Sequence, residues 1–146
     1  MLLAQKLALV SLRTGSGHPR NASGNLSYTL VGLLIADLVL QGRLSLGKDV
    51  FTVVDAARTG DALLDQVLDS VGAHPDGNSY RQYEYTAKAL SGHMGRPIPQ
   101  VFDSLVDDGL ATAHDKPLLG LSDKAWLPDE AARDGVIAGI RASALD

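Results

Sequence analysis

The sequence LSYTLVGLLIADLVL, from Leu26 to Leu40, is the most apolar stretch of the chain. It is 15 residues long, short of the roughly 20 apolar residues that a helix needs to cross a membrane. Leucine and isoleucine fall on most faces of a helix drawn through it, which is typical of a central helix surrounded by others. Gly42 follows where a left-handed helix cap is expected. The stretch therefore predicts a core helix over about residues 26–41.

Asp37 is the one charged residue inside this apolar run. A buried functional carboxylate is one interpretation. We favour a structural role instead, either on a narrow solvent-facing stripe or paired with a nearby base. Arg43 is close enough in sequence to be that base.

The segments around the core helix predict further helices and two hairpins. An alternating segment and a β-branched segment, residues 43–46 and 50–54, predict a strand pair. A second hairpin is predicted from residues 111–114 and 118–121, with its turn at residues 115–117, and the Gly- and Pro-rich stretch 91–99 is predicted to be a loop. Helical spacing of apolar residues, with capping residues at several ends, predicts helices at residues 2–12, 62–71, 79–90, 98–110 and from Pro128 to the end of the chain.

These elements predict a mainly α fold: a helical bundle-like domain with one or two short β-hairpins. A length of 146 residues fits a single domain over residues 1–146. Aromatic residues make up only 5% of the chain, so the core is expected to consist mostly of leucine, valine and alanine.

Composition also restricts the classes of function. A net charge of -4 argues against general nucleic-acid binding, because phosphate neutralisation supplies most of that affinity. The chain contains no cysteine, which excludes disulfides, thiolate zinc sites and a cysteine nucleophile. The amino-terminal residues lack the pattern of a signal peptide. We therefore expect a cytoplasmic protein, with peripheral attachment to a membrane as a further expectation.

No motif in the sequence assembles a catalytic or metal-binding group. Thr14-Gly15-Ser16-Gly17-His18 lacks the spacing of a phosphate-binding loop and follows a predicted helix, so it is interpreted as a turn. The four histidines are scattered, and the acidic pairs Asp107-Asp108 and Asp129-Glu130 lie at helix ends, where capping explains them. The prediction is a protein that is not an enzyme and takes no metal and no cofactor.

Four phrases, in order, resemble the Golgi phosphoprotein 3-like family. Residues 38–44 read LVLQGRL and are similar to the family phrase ELALRGRL, and residues 59–65 read TGDALLD, similar to TGDxLLDE. Residues 105–110 read LVDDGL, similar to LVEKGVL, and the LLGL of residues 118–121 follows at the expected distance. The resemblance covers nearly the whole chain, although family members usually continue through further C-terminal helices that are missing here.

The resemblance implies a mostly helical, peripheral membrane protein without catalytic activity. Eukaryotic members bind phosphatidylinositol 4-phosphate and act as adaptors for Golgi enzymes. Their headgroup pocket uses a tryptophan and several arginines, and an apolar hairpin dips into the bilayer. A bundle without the last family helices leaves apolar faces uncovered, and the family's hairpin region also serves self-association, so a homo-oligomer is expected.

The family pocket carries over poorly when it is matched residue by residue. Its tryptophan falls near Ala22, its arginine on the long helix at Val31, and its last two arginines near Gly95 and Ile98, with Arg96 one step away. The framework is therefore retained without most of the phosphate-binding side chains, and specificity for phosphatidylinositol 4-phosphate does not follow from the resemblance.

The resulting hypothesis is a binding module for an anionic membrane lipid or a protein partner, with no nucleic acid. Its expected anion or headgroup contacts are Arg96, Arg20 and His18. Its expected membrane contacts are Leu118, Leu119, Leu121 and Trp126. The alternative is a winged-helix-like regulatory or protein-interaction domain, because a helix followed by a hairpin, as in residues 98–121, also suits that arrangement. The absence of arginine and lysine from residues 98–110 counts against it.

Overall fold

The computed structural model describes residues 1–20, 24–47, 51–73, 83–118 and 121–145. Within these ranges the chain forms six helices and two antiparallel hairpins, which confirms the prediction of a mainly α fold. The elements in chain order are α1 (Leu3–Ser11), α2 (Gly24–Leu40), β1 (Leu44–Leu46), β2 (Phe51–Val53), α3 (Ala62–Gly72), α4 (Tyr83–Met94), α5 (Pro97–Asp107), β3 (Ala111–Leu118), β4 (Leu121–Pro128) and α6 (Glu130–Leu145).

Helix α2 is the central helix that its sequence predicts. Leu30, Leu34 and Leu38, one turn apart, are fully buried, and α1, α3, α4 and α5 all pack against the helix. Burial of each such leucine stabilises the fold by about 1.5–3 kcal/mol. Among the described helices, none is both long and apolar enough to cross a membrane.

Asp37 has a structural role, but its partner is not Arg43. The carboxylate oxygen Oδ2 accepts a 2.9 Å hydrogen bond from the backbone N–H of Leu3, in the first turn of α1. Arg43 instead forms a 2.8 Å ion pair with Asp55. The predicted pairing was wrong because a free N–H at the start of a helix can donate to a carboxylate that is distant in sequence but adjacent in space.

A second polar contact joins α1 to α5. Gln5 is almost fully buried, and its Nε2 donates hydrogen bonds to Ser104 and, at 2.7 Å, to the carboxylate of Asp108. The predicted position of Asp108 at a helix end is confirmed, since it is the residue that follows α5. Its role goes beyond solvation, because it fixes α1 against α5.

The predicted loop at residues 91–99 was wrong. Helix α4 continues to Met94, and α5 begins three residues later at Pro97. Buried Leu90 and Met94 draw the last turn of α4 into the core, which outweighs the helix cost of Gly92. Pro97 occupies the first turn of α5, where its missing N–H costs nothing.

The second hairpin is longer than predicted. Strands β3 and β4 pair along eight residues each, so residues 115–117 lie within β3 and not at a turn. Asp115 lies opposite Lys124, and opposite charges at facing positions stabilise an antiparallel pair. Pro117 is tolerated because β3 is an edge strand of a two-stranded sheet.

The last helix, α6, begins at Glu130 with Asp129 as its cap. The Asp129 carboxylate accepts a hydrogen bond from the N–H of Ala132, which confirms the predicted capping role. Pro128 belongs to β4 and not to the first turn of the helix as predicted. None of the described α6 residues is buried.

Candidate functional site

The β3–β4 hairpin is fixed to the helical core through Trp126. The indole is 5% exposed, and its ring centroid lies 5.0 Å from that of Phe102 in α5. Its Nε1–H donates a 2.9 Å hydrogen bond to the carboxylate of Asp103. Lys124 forms a 2.7 Å ion pair with the same carboxylate and lies 5.7 Å from the indole centroid. These contacts anchor the base of the hairpin on one face of α5.

The predicted membrane contacts lie at different positions along the hairpin. Trp126 is inside the core, so it positions the hairpin in this conformation and does not present its ring to the outside. Leu118 and Leu121 form the last register pair, at the opposite end of the hairpin from the pair Ala111–Pro128. Seven register steps of about 3.4 Å place them about 24 Å from that base pair. Leu119 lies outside the described residues.

A loop that follows α1 packs against the base of the hairpin. This glycine loop, residues 13–20, is closed by a β-bridge between Leu12 and Pro19. The carbonyl oxygen of Gly17 accepts a 2.7 Å hydrogen bond from the N–H of Trp126. A Cβ on Gly17 would lie 2.9 Å from the Trp126 carbonyl oxygen, and Gly17 has a φ of 69°. Only glycine permits this approach without strain, so the predicted turn is also a docking contact.

The glycine loop carries two of the three predicted anion contacts. His18 is half-buried and Arg20 is exposed. Arg13, at the other end of the loop, is exposed as well, and it was missed by the sequence argument. Its position beside the Gly15-Ser16-Gly17 turn is the signal that would have found it. A small cavity of about 190 Å³, lined by Ser16, His114 and Leu127 among others, separates this loop from the hairpin.

Arg96, the third predicted anion contact, lies on a different element. It is exposed and immediately precedes α5. It is seven positions before Asp103, which corresponds to about 10 Å along the helix axis. The structure thus places His18 and Arg20 together on one loop against the hairpin, with Arg96 at the start of the helix that carries the hairpin.

The positions that match the family's headgroup pocket hold no phosphate-binding side chain. Val31 is fully buried in the core, and Ile98 packs against the core with part of its surface. Gly95 is exposed with a φ of 77°. Ala22 lies outside the described residues. Any anion contact of this chain would therefore have to come from other positions.

A metal centre and a DNA-binding helix would each need particular side chains. Among them, no group of three or more histidine, aspartate or glutamate side chains could hold a metal ion. A DNA-binding form of the winged-helix alternative needs a basic recognition helix, but α5 contains no arginine or lysine and buries Val101, Phe102 and Leu105 in the core. The basic glycine loop docks at the Ala113–Trp126 pair, about 17 Å from the Leu118–Leu121 end of the hairpin.

Comparisons with known proteins identify a matching family and a relative. The family model described as Golgi phosphoprotein 3 (GPP34) matches residues 3–146. The vacuolar protein sorting-associated protein 74 of Eremothecium gossypii is 30% identical over 79 residues, a match that covers 47% of this chain and 24% of the relative. The chain thus matches about a quarter of the length of that relative.

Proposed function

The chain belongs to the Golgi phosphoprotein 3 family, and from this premise we propose that it is a non-catalytic module that binds the surface of an anionic membrane. In this proposal the end of the β3–β4 hairpin, Leu118 to Leu121, enters the interfacial region of the bilayer. The glycine loop docks on Trp126, about 17 Å from that end, and adds electrostatic attraction to the anionic headgroups at low ionic strength. The protein remains cytoplasmic and attaches to the membrane peripherally.

The observation that carries the proposal is the length of the hairpin beyond its anchor. Trp126 and Ala125 are buried at the base, whereas the β3 residues from Thr112 to Asp115 are exposed. The pair of leucines at the far end is about 24 Å from the base pair, so it lies well beyond the Trp126 anchor. An apolar segment at the end of a paired hairpin binds a membrane interface with an affinity that grows with the apolar area that it buries.

The basic residues of the glycine loop give the membrane contact an electrostatic component. Arg13 and Arg20 are exposed, and His18 lies between them on the loop. Each lysine or arginine near an anionic leaflet contributes about 1 kcal/mol of attraction. Because the whole chain has a net charge of -4, this attraction is local and will weaken as the ionic strength rises.

We further propose a preference for negative charge in general and not for phosphatidylinositol 4-phosphate in particular. A bidentate guanidinium–phosphate contact gives both affinity and geometric selectivity. The buried valine at position 31 and the glycine at position 95 offer no such contact. Arg96 is one residue from the matched position and could supply a single contact. We also propose that the chain recruits a protein partner to the same membrane and that it self-associates.

Co-sedimentation with vesicles tests the proposal. We expect the wild-type chain to bind vesicles that contain phosphatidylserine, with a similar affinity when phosphatidylinositol 4-phosphate supplies the same total charge. Leu121→Asp should reduce binding at least about tenfold, since a charge in the interface opposes insertion. The matched control is Leu46→Asp, which changes a 56% exposed leucine in the other hairpin.

The charge contribution is tested separately. Arg20→Ala should weaken binding about fivefold at low salt and less at high salt. Arg58→Ala is the control, because Arg58 is an exposed arginine that pairs with Asp69 on α3. If the wild-type chain binds neither vesicle, the membrane proposal is wrong. If only the phosphoinositide vesicle is bound, the proposed general preference is wrong.

A further inference from the structure

The cavity between the glycine loop and the hairpin has a volume of about 190 Å³. One wall is formed by Gly15 and Ser16, and the other by His114, Ala125 and Leu127. We propose that this cavity binds the phosphate group of a small soluble phosphate monoester. The proposal goes beyond the membrane contact and does not rest on it, because the cavity lies away from the end of the hairpin that contacts the bilayer.

The polar groups on the cavity walls are hydrogen-bond donors that no other described group uses. The Ser16 hydroxyl accepts a 3.3 Å hydrogen bond from the backbone N–H of His18, and its own hydrogen remains free to donate. The backbone N–H groups of Gly15 and Ser16 and the ring of His114 have no hydrogen-bond partner among the described residues. An imidazole carries at least one ring N–H whether it is neutral or charged. The walls therefore offer several donors to a ligand that is rich in acceptors.

The charge around the cavity favours an anion. The glycine loop, residues 13–20, contains two arginines and one histidine and no acidic residue. Arg13 and Arg20 are exposed at its two ends, and none of the described residues that line the cavity carries a carboxylate. A phosphate group has three terminal oxygens that accept hydrogen bonds, and a hydrogen bond to a charged acceptor is about twice as strong as one between neutral groups.

The size and the floor of the cavity limit the ligand to a small molecule. Pockets for drug-sized ligands have volumes of about 300 Å³ or more, and this cavity is smaller. Ala125 is buried and Leu127 is half-buried, so the hairpin provides an apolar floor beside the donors. A phosphate monoester with a short carbon chain matches both surfaces, because its charged end meets the donors and its carbon atoms meet the floor.

The position of the cavity along the hairpin favours a soluble ligand over a lipid headgroup. His114 pairs with Ala125, four register steps before the far end of the hairpin, which corresponds to about 14 Å. The polar layer on each side of a bilayer is only about 5–8 Å thick. An upright hairpin whose end reaches the edge of the hydrocarbon therefore holds the cavity on the water side of the headgroups. Val31 and Gly95, which match the family's headgroup pocket, are not among the described residues that line the cavity.

Nuclear magnetic resonance of the isotope-labelled whole chain tests the site. Inorganic phosphate and methyl phosphate, each added at constant ionic strength, should produce saturable shifts in the amide signals of Gly15, Ser16 and His114. Sodium chloride at the same ionic strength is the control for screening and should produce no saturable shift.

Substitutions of His114 test whether the cavity is where phosphate binds. His114→Ala removes a donor from the cavity wall and should raise the dissociation constant for methyl phosphate at least about fivefold. His114→Gln keeps a side-chain N–H donor and should stay within about twofold of the wild type. His114 is exposed, so both variants should fold. The matched control is His93→Ala, at an exposed histidine of α4, which should leave the dissociation constant unchanged.

Co-sedimentation with phosphatidylserine vesicles separates this site from the membrane contact. His114→Ala should bind these vesicles as the wild type does. Leu121→Asp should lose vesicle binding and keep the wild-type dissociation constant for methyl phosphate. Failure of the membrane proposal would therefore leave the phosphate site standing, and the reverse also holds.

Three results would overturn the proposal. The first is a set of amide shifts that does not saturate or that sodium chloride reproduces. The second is saturable binding that His114→Ala leaves unchanged, which would place the phosphate elsewhere on the chain. The third is no response to the soluble phosphates together with a loss of vesicle binding in His114→Ala, which would assign the cavity to a lipid headgroup.

Discussion

Replacement of Trp126 separates an internal anchor from a membrane contact. The indole is 5% exposed and packs on Phe102, so Trp126→Ala should lower the free energy of unfolding by about 3–5 kcal/mol. For a domain of this size the loss corresponds to a fall in Tm of about 10 °C or more. Trp126→Phe keeps an aromatic ring on α5 and loses the hydrogen bond to Asp103, with an expected cost of about 1–2 kcal/mol.

Urea unfolding followed by far-ultraviolet circular dichroism measures both losses. Ile140→Ala is the control, because a 55% exposed side chain away from special features should change stability by less than about 0.5 kcal/mol. Trp126→Ala is also expected to weaken vesicle binding, but by releasing the base of the hairpin. Trp126→Phe should bind vesicles nearly as well as the wild type, since it retains the anchor.

The fluorescence of the chain gives the decisive observation, because Trp126 is its one tryptophan. In solution the emission should already be that of a buried indole, with weak quenching by acrylamide. Addition of phosphatidylserine vesicles with brominated acyl chains should leave the emission nearly unchanged. Strong quenching by the brominated lipids would refute the reasoning, since it would show that the ring leaves α5 and enters the bilayer.

Three further substitutions test individual contacts. Asp37→Ala removes the acceptor for the Leu3 N–H and should lower the free energy of unfolding by about 1 kcal/mol. Asp37→Asn keeps an acceptor but cannot ionise. Because burial raises the pKa of Asp37, urea unfolding should show the wild type losing stability relative to Asp37→Asn as pH rises from about 4 through the folded-state pKa. Thermal unfolding should show that Gly17→Ala lowers the free energy of unfolding by at least about 2 kcal/mol, and Gly42→Ala by only about 1 kcal/mol. Both glycines have a positive φ, but only a Cβ at Gly17 would meet a neighbouring strand. Equal losses would contradict the docking of the glycine loop. Asp61→Ala removes the N-cap of α3, whose side chain accepts from two backbone amides, and should lower Tm by about 3 °C; an unchanged Tm would show that water replaces the cap.

Local patterns predicted most elements because neighbouring residues alone decide them. The apolar run 26–40 is hydrophobic on most faces, and any fold of the chain has to bury it. Asp61 caps a helix through amides two and three residues ahead, so its role is visible in the sequence. The same holds for Gly42, whose φ of 70° follows from its place just after a helix.

The hairpin shows where local patterns give too little information. Asp115-Lys116-Pro117 has the composition of a turn, yet it lies within β3. The pairing of eight residues on each strand, including Asp115 with Lys124, stabilises the hairpin by more than a turn at these three residues would. The register depends on the residues of both strands together, so the sequence of one strand alone cannot predict it.

The sequence by itself determined the helical core, most of the element types and the family, because periodicity, caps and ordered phrases are properties of short segments. Only the tertiary structure decided which way Trp126 points and which backbone N–H donates a hydrogen bond to Asp37. Both depend on surfaces brought together from residues more than twenty positions apart. A tryptophan beside a charged residue suits a membrane interface as well as it suits a core, and the position of Phe102 and Asp103 on α5 is what places this one inside.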